Sequence, residues 1–146
     1  MPNKRHKAVI SRRFRFQYAA KFICTANVPG TSQTTESLLP GTYTTVVNVH
    51  NPNNQSVKLR AKVALGGKQF ISKFVDAKLG PDEVTRYVCR DIREKFGLRI
   101  IHGAEGFLVI ESSHSLDVIA VYTAAPPRGD VASIDVEHVP ERQIVS

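Results

Sequence analysis

Residues 14–26 change character at every step, and few folds accommodate that. Phe14, Phe16, Tyr18, Ala20, Phe22, Cys24 and Ala26 share one parity; Arg15, Gln17, Lys21 and Thr25 take the other, broken by Ala19 and Ile23. Side chains of an extended strand point to opposite faces in turn, so this pattern describes a strand with one face buried. The same period returns along most of the chain and predicts an antiparallel β domain.

A chain of 146 residues is the length of one domain, and at that size roughly 70% of the unfolded surface is buried without help from a metal or disulfide. No apolar run approaches the ~20 residues that span a bilayer, so no membrane insertion is expected. The net charge of +7 sits at one end: Lys4, Arg5, Lys7, Arg12, Arg13 and Arg15 precede the first acid. Residues 1–12 read as a flexible basic arm, 13–140 as the β-sandwich domain and 141–146 as a C-terminal tail. The arm serves as a solvated terminus, the preferred reading, or as a holder of phosphate charge on nucleic acid or an anionic membrane surface. Ser11-Arg12-Arg13-Phe14 has the look of a twin-arginine start, but Arg15 and the alternation behind it replace the apolar region an export signal needs. The expected location is therefore cytoplasmic. In that setting Cys24 and Cys89 read as buried thiols, although their separation would also suit an inter-sheet disulfide. Whether they pair is left open.

Strands are expected from residue 13 to about Ala26, at Thr42–His50, and again from Val57 to Leu65. The third puts Val57, Leu59, Ala61, Val63 and Leu65 inward, with Lys58, Arg60 and Lys62 outward. Asn51-Pro52-Asn53-Asn54-Gln55 is a turn, which makes the second and third strands read as a hairpin. The Lys/Arg/Lys row is a guard against edge pairing or a binding face, the guard being preferred. Short strands follow at Phe70–Val75 and Val84–Cys89. A helical turn opens at Asp91 with Glu94 three residues on, and Gly97 terminates it. Gly106–Glu111 and Leu116–Thr123 read as a second hairpin of central strands, and Ser133–His138 as a last alternating strand. Asn27 to Gly41 is a long polar loop and a candidate recognition surface. The fold class is all-β: a jelly-roll-like antiparallel sandwich of seven or eight strands with at most one short helical turn.

The side chains assemble no catalytic pattern. His6, His50, His102, His114 and His138 are scattered, without the paired spacing of metal sites, so neither metal nor cofactor is expected. Ser113, His114 and Asp117 are the nearest nucleophilic set, and turn polarity accounts for them. Glu111 and Asp117 flank the same turn and read as solvated acids. Gly66-Gly67 lacks the Lys-Ser/Thr of a phosphate loop. Arg128-Gly129-Asp130 matches an integrin-binding tripeptide and Asn54-Gln55-Ser56 a glycosylation sequon, and neither has a role in a cytoplasmic chain. Phe14, Phe16 and Tyr18 interleave with Arg13 and Arg15 as a stacking platform would, yet their parity assigns them to the core.

Two blocks carry a resemblance. One is the Pro/Gly-bearing loop entering Thr42–His50, with its Asn51-Pro52-Asn53 turn and return strand. The other is Gly106-Phe107-Leu108-Val109-Ile110-Glu111-Ser112, followed by Leu116–Tyr122 and a closing strand. Over residues 18–140 the strand order and turn types resemble small uncharacterised bacterial β-sandwich proteins and, more distantly, the sensory rhodopsin transducer family. That likeness implies a cytoplasmic, non-enzymatic sandwich that forms a homo-oligomer, typically a tetramer, and acts by binding partners. The basic arm and Arg93-Glu94-Lys95 have no counterpart in that pattern. The expected function is a self-assembling interaction or structural module, with nucleic-acid binding through the arm as the alternative. Candidate contact residues are Lys4, Arg5, Lys7, Arg12, Arg13, Arg15, Lys58, Arg60 and Lys62.

Overall fold

The computed structural model describes residues 14–25, 38–39, 41–67, 70–98, 103–126 and 130–144. The basic arm and nearly all of the 27–41 loop lie outside these residues.

Alternation places the strands where it is clean. β1 (Phe16–Thr25), β2 (Thr42–His50) and β3 (Val57–Leu65) follow the expected parity, burying Tyr18, Ala20, Phe22, Cys24, Val47, Val49, Val57, Leu59, Ala61 and Val63. After them come β4 (Val75–Leu79) and β5 (Val84–Val88). Expected at Phe70–Val75, β4 instead starts at Val75, and Ile71 makes only an isolated bridge to Ala64. The helix α1 (Cys89–Lys95) starts two residues before Asp91. Its Asp91 carboxylate accepts the Val88 N–H at 2.9 Å, so Asp91 closes the first turn from its third position instead of opening it. Gly97, with φ +71°, ends the helical segment as expected. β6 (Gly103–Ser112), β7 (Asp117–Ala125), β8 (Ser133–His138) and β9 (Glu141–Gln143) complete the chain.

These nine strands form two antiparallel sheets, β4-β3-β6-β1-β9 and β5-β2-β7-β8, packed as an all-β sandwich. The inner faces meet over Phe22, Leu59, Leu108 and Ile110 from one sheet and Val47, Val49 and Val118 from the other. Ile92 and Phe96 of α1 are buried as well, and the Phe96 ring lies 6.4 Å from that of Tyr87. β6 and β7 are interior strands of their sheets, as their apolar runs predict.

Both expected hairpins are overturned. β2 pairs with β5 and β7, and β3 with β4 and β6. β6 and β7 likewise lie in opposite sheets. Each of these turns, like the one between β4 and β5, carries the chain across the sandwich. Two strands with matching apolar faces cover them by facing each other, and edge pairing leaves those faces bare.

Asn51 supports this crossing. It is fully buried, and its Nδ2 donates to Gln55 O, Leu79 O and Gly80 O at 2.8, 3.2 and 3.0 Å. Its Oδ1 accepts the Asn53 N–H at 2.9 Å, so one side chain satisfies the backbone of two crossing turns.

A second correction concerns the cysteines. Cys24 and Cys89 form a disulfide across the sandwich, with Cα atoms 5.7 Å apart. Beside it Thr45 Oγ1 accepts the Ile23 N–H at 2.8 Å and donates to Ile23 O at 2.9 Å, a side chain standing in for a strand partner. The third correction is β9: expected within the tail, Glu141–Gln143 add to the edge of β1.

Candidate functional site

The two outer faces of the sandwich differ in chemistry. On the five-stranded sheet, cross-strand register aligns Asp76, Arg60, Glu111, Gln17 and Arg142 in one row over all five strands. Arg60 donates through Nε and Nη2 to Glu111 Oε1 at 2.9 and 2.6 Å, and Gln17 Nε2 donates to Glu111 Oε2 at 3.2 Å. Glu111, nearly buried, is thus occupied as a counter-ion. The Arg60 guanidinium lies between two rings, 4.4 Å from the centroid of Phe14 and 3.9 Å from that of Phe74, with Lys62 Nζ 4.8 Å from Phe74. Arg60 and Lys62 are held by these contacts, and the expected edge guard is overturned, because β3 lies between β4 and β6 and has no free edge.

One row further along, Lys58 stands directly opposite Lys78. Arg15, exposed, hydrogen-bonds Ser112 O through its N–H at 2.8 Å, while the Ser113 N–H reaches Lys58 O at 3.0 Å, placing Arg15 and Lys58 at the same level of the sheet. Among the described residues no carboxylate pairs with Lys58, Lys78 or Arg15. A cleft of about 300 Å³ opens there, lined by Phe14, Lys58, Leu59, Asp76, Ala77 and Lys78.

The outer face of the four-stranded sheet carries an apolar row instead, next to a polar one of Arg86, Asn48 and His138. Val88, Val46, Val121 and Val136 are consecutive neighbours in register across β5, β2, β7 and β8. Ile119, Ile134 and Val84 share that face; Val136 and Ile134 are 62% and 66% exposed. Every residue of β8 is exposed. An apolar stripe that runs over four strands and is this exposed is unusual on an isolated subunit.

The end with the crossing turns holds a polar cluster. His50 Nδ1 lies 2.8 Å from Asp117 Oδ2 and Nε2 lies 2.6 Å from Asp82 Oδ1. Both carboxylates favour the imidazolium, and the bond to Asp117, then that to Asp82, raises the His50 pKa above 6.5. Asp82 holds its position in the left-handed region, φ 60°.

This arrangement dismantles the expected nucleophilic set. Ser113 Oγ lies 2.9 Å from His114 Nδ1, but Asp117 belongs to His50, and His114 Nε2 faces Gln55 Nε2 at 2.9 Å. Glu111 and Asp117 are separated too, one on each sheet.

Of the residues singled out in the sequence, Lys4, Arg5, Lys7, Arg12 and Arg13 lie outside the described residues, as do His6, His102, Arg128 and Gly129. Arg15, Lys58, Arg60 and Lys62 come together on one face. Phe14 and Phe74 joined them unforeseen, because alternation assigns Phe14 to the core; Phe14 precedes β1 and escapes its parity, while Phe16 and Tyr18 keep it. Lys78 is legible only once β4 is known to flank β3. The valine row had a sequence signal, apolar residues on both faces of β7, which alone does not say that one face stays bare.

Among the described residues, no helix is long and apolar enough to cross a membrane. Neither a protein-family model nor a curated protein matches the sequence. Among solved structures it is similar to a Thermotoga maritima protein, reported as the crystal structure of Thermotoga maritima 1070. The two share 10% identity over 84% of this chain and 93% of that one, with a TM-score of 0.50, a likeness of fold alone.

Proposed function

We propose that this protein is a non-enzymatic, self-associating β-sandwich that works as an interaction or structural module, and that copies meet through the outer face of the four-stranded sheet. The observation that carries this reading is the unbroken row Val88–Val46–Val121–Val136, flanked by Ile119 and Ile134. A second copy presents the same apolar surface, and two sheets laid face to face bury it on both sides. The free edge of β8 is less suited to contact. Asp135 Oδ1 accepts the Val136 N–H at 3.0 Å, and an antiparallel edge pair centred on Val136 would set Asp135 against Glu137 of the other copy, acid against acid. A face-to-face pair closes on itself, so the assembly is a discrete particle and not a filament; a tetramer, as the family resemblance implies, joins two such pairs.

Light scattering on the purified protein tests this. The expected result at tens of micromolar is a dimer or tetramer, converted to monomer by Val121→Glu with Val136→Glu while the circular dichroism of a β protein is retained. A strict monomer for the parent chain ends the proposal.

The sequence points to the cytoplasm. The Cys24–Cys89 disulfide weighs the other way, because such bonds persist where surroundings are oxidising. Thiol counting on protein taken rapidly from cells decides: two free thiols support the cytoplasmic reading, none the oxidising one.

A further inference from the structure

The valine row shares its face with groups that change charge. One row along, Arg86 of β5, Asn48 of β2, Ile119 of β7 and His138 of β8 are consecutive neighbours in register. Arg86 and His138 stand at the two ends of that row, and both are exposed. Among the described residues neither has a carboxylate partner. The acids near His138 are occupied or turned away. Asp117, diagonal to it on β7, is bound to His50. Glu137, beside it on β8, points to the opposite face and accepts the Tyr122 hydroxyl at 3.1 Å. Glu141, beyond Pro140, accepts the hydroxyls of Tyr18 and Ser115.

Given the face-to-face association proposed above, on which this inference rests, strand order decides what each row meets. With the two-fold axis parallel to the strands and between β2 and β7, the order β5-β2-β7-β8 runs backwards in the second copy. Val88 then covers Val136 of the other copy, Val46 covers Val121, and Arg86 covers His138 at both ends of the contact. A neutral imidazole offers a lone pair to a guanidinium N–H; protonation removes that lone pair and sets two cations together away from water. We infer that self-association of this protein is controlled by protons through His138, which pairs with Arg86 of the second copy while its ring is neutral. Histidine is the side chain whose charge ordinarily changes between pH 5 and 8. The separated subunit takes up the proton more readily than the pair does, so association weakens as pH falls. His50 lies on the same face, over Asp117 of the other copy. Its raised pKa, from the bonds to Asp117 and Asp82, keeps it protonated through the acid part of that range, so it contributes no opening charge there.

The test is sedimentation velocity on the full chain at about pH 8 and about pH 5.5, the two sides of the histidine range, with circular dichroism recording the fold at both. The parent's dissociation constant should rise about tenfold or more at the lower pH, because like charges are brought together in the contact. His138→Gln keeps an acceptor for Arg86 and has no proton to gain, so it should associate alike at both values. Arg86→Glu should reverse the dependence, since an imidazolium then meets a carboxylate and acid tightens the pair. The inference is overturned, with the assembly reading left standing, by any of three results: a parent that associates equally at both values, a His138→Gln chain as sensitive as the parent, or an Arg86→Glu chain that keeps the parent's direction. A parent that is monomeric at both values ends the inference and the assembly reading together.

Discussion

The Tyr18 hydroxyl donates to Glu141 Oε1 at 2.5 Å while accepting the Leu116 N–H at 2.7 Å, so one buried side chain of β1 ties the β6–β7 crossing to β9. Burial first, and then the bond to Glu141, pushes its pKa up to about 12, so the hydroxyl remains a donor at neutral pH. Tyr18→Phe keeps the ring and strands the buried Leu116 N–H, while the exposed Glu141 keeps its bond from Ser115 Oγ. The expected loss is about 1–3 kcal/mol, read from urea unfolding.

His50 makes stability depend on pH. Its folded pKa is raised by Asp117 and Asp82. The stabilisation is therefore complete below the unfolded value of 6.5 and disappears as pH rises through the raised folded value. His50→Gln should remove that dependence and lower Tm most on the acid side. Thermal melts of parent and variant between about pH 5 and pH 9 check this; parallel profiles would refute the clamp.

The disulfide closes a loop with a sequence separation of 65, for which chain entropy gives a stabilisation of about 4 kcal/mol. Cys24→Ala with Cys89→Ala should lose an amount of that order in denaturant unfolding. Adding reductant should then destabilise the parent and leave the variant unchanged.

Gly106 stands opposite Leu65 where β6 pairs with β3. A methyl group there would collide with the carbonyl oxygen of Ala64, so Gly106→Ala must push the two strands apart. A cost of about 3 kcal/mol is expected from calorimetric melting, against little change for alanine at the exposed, neighbouring Phe107.

The strands β1, β2 and β3 were legible because alternation records burial; β8 alternates too, although every residue of it is exposed. Their partners were not. A turn such as Asn51–Gln55 reads the same whether the next strand lies beside its predecessor or across the core. The difference resides in the buried Asn51 amide, whose acceptors at Leu79 and Gly80 are distant in sequence. His50 is hidden for the same reason, its two carboxylates coming from separate turns. β9 was missed because Glu141–Gln143 is exposed and its pairing is backbone pairing, which leaves no apolar trace. The cysteines showed their burial but not their bond, which depends on the approach of β1 to the start of α1.

Because β1 pairs with β6, whose first residue lies nearly 80 positions downstream, a growing chain cannot complete its first sheet early. At the usual ~5–20 residues per second the ribosome needs several seconds to deliver that partner. Through that interval the face carrying Tyr18 and Phe22 is bare on the nascent polypeptide, together with the inner faces of β2 and β3. Fragments that end before residue 112 cannot complete the β1–β6 pairing and are expected to leave that face open to other chains.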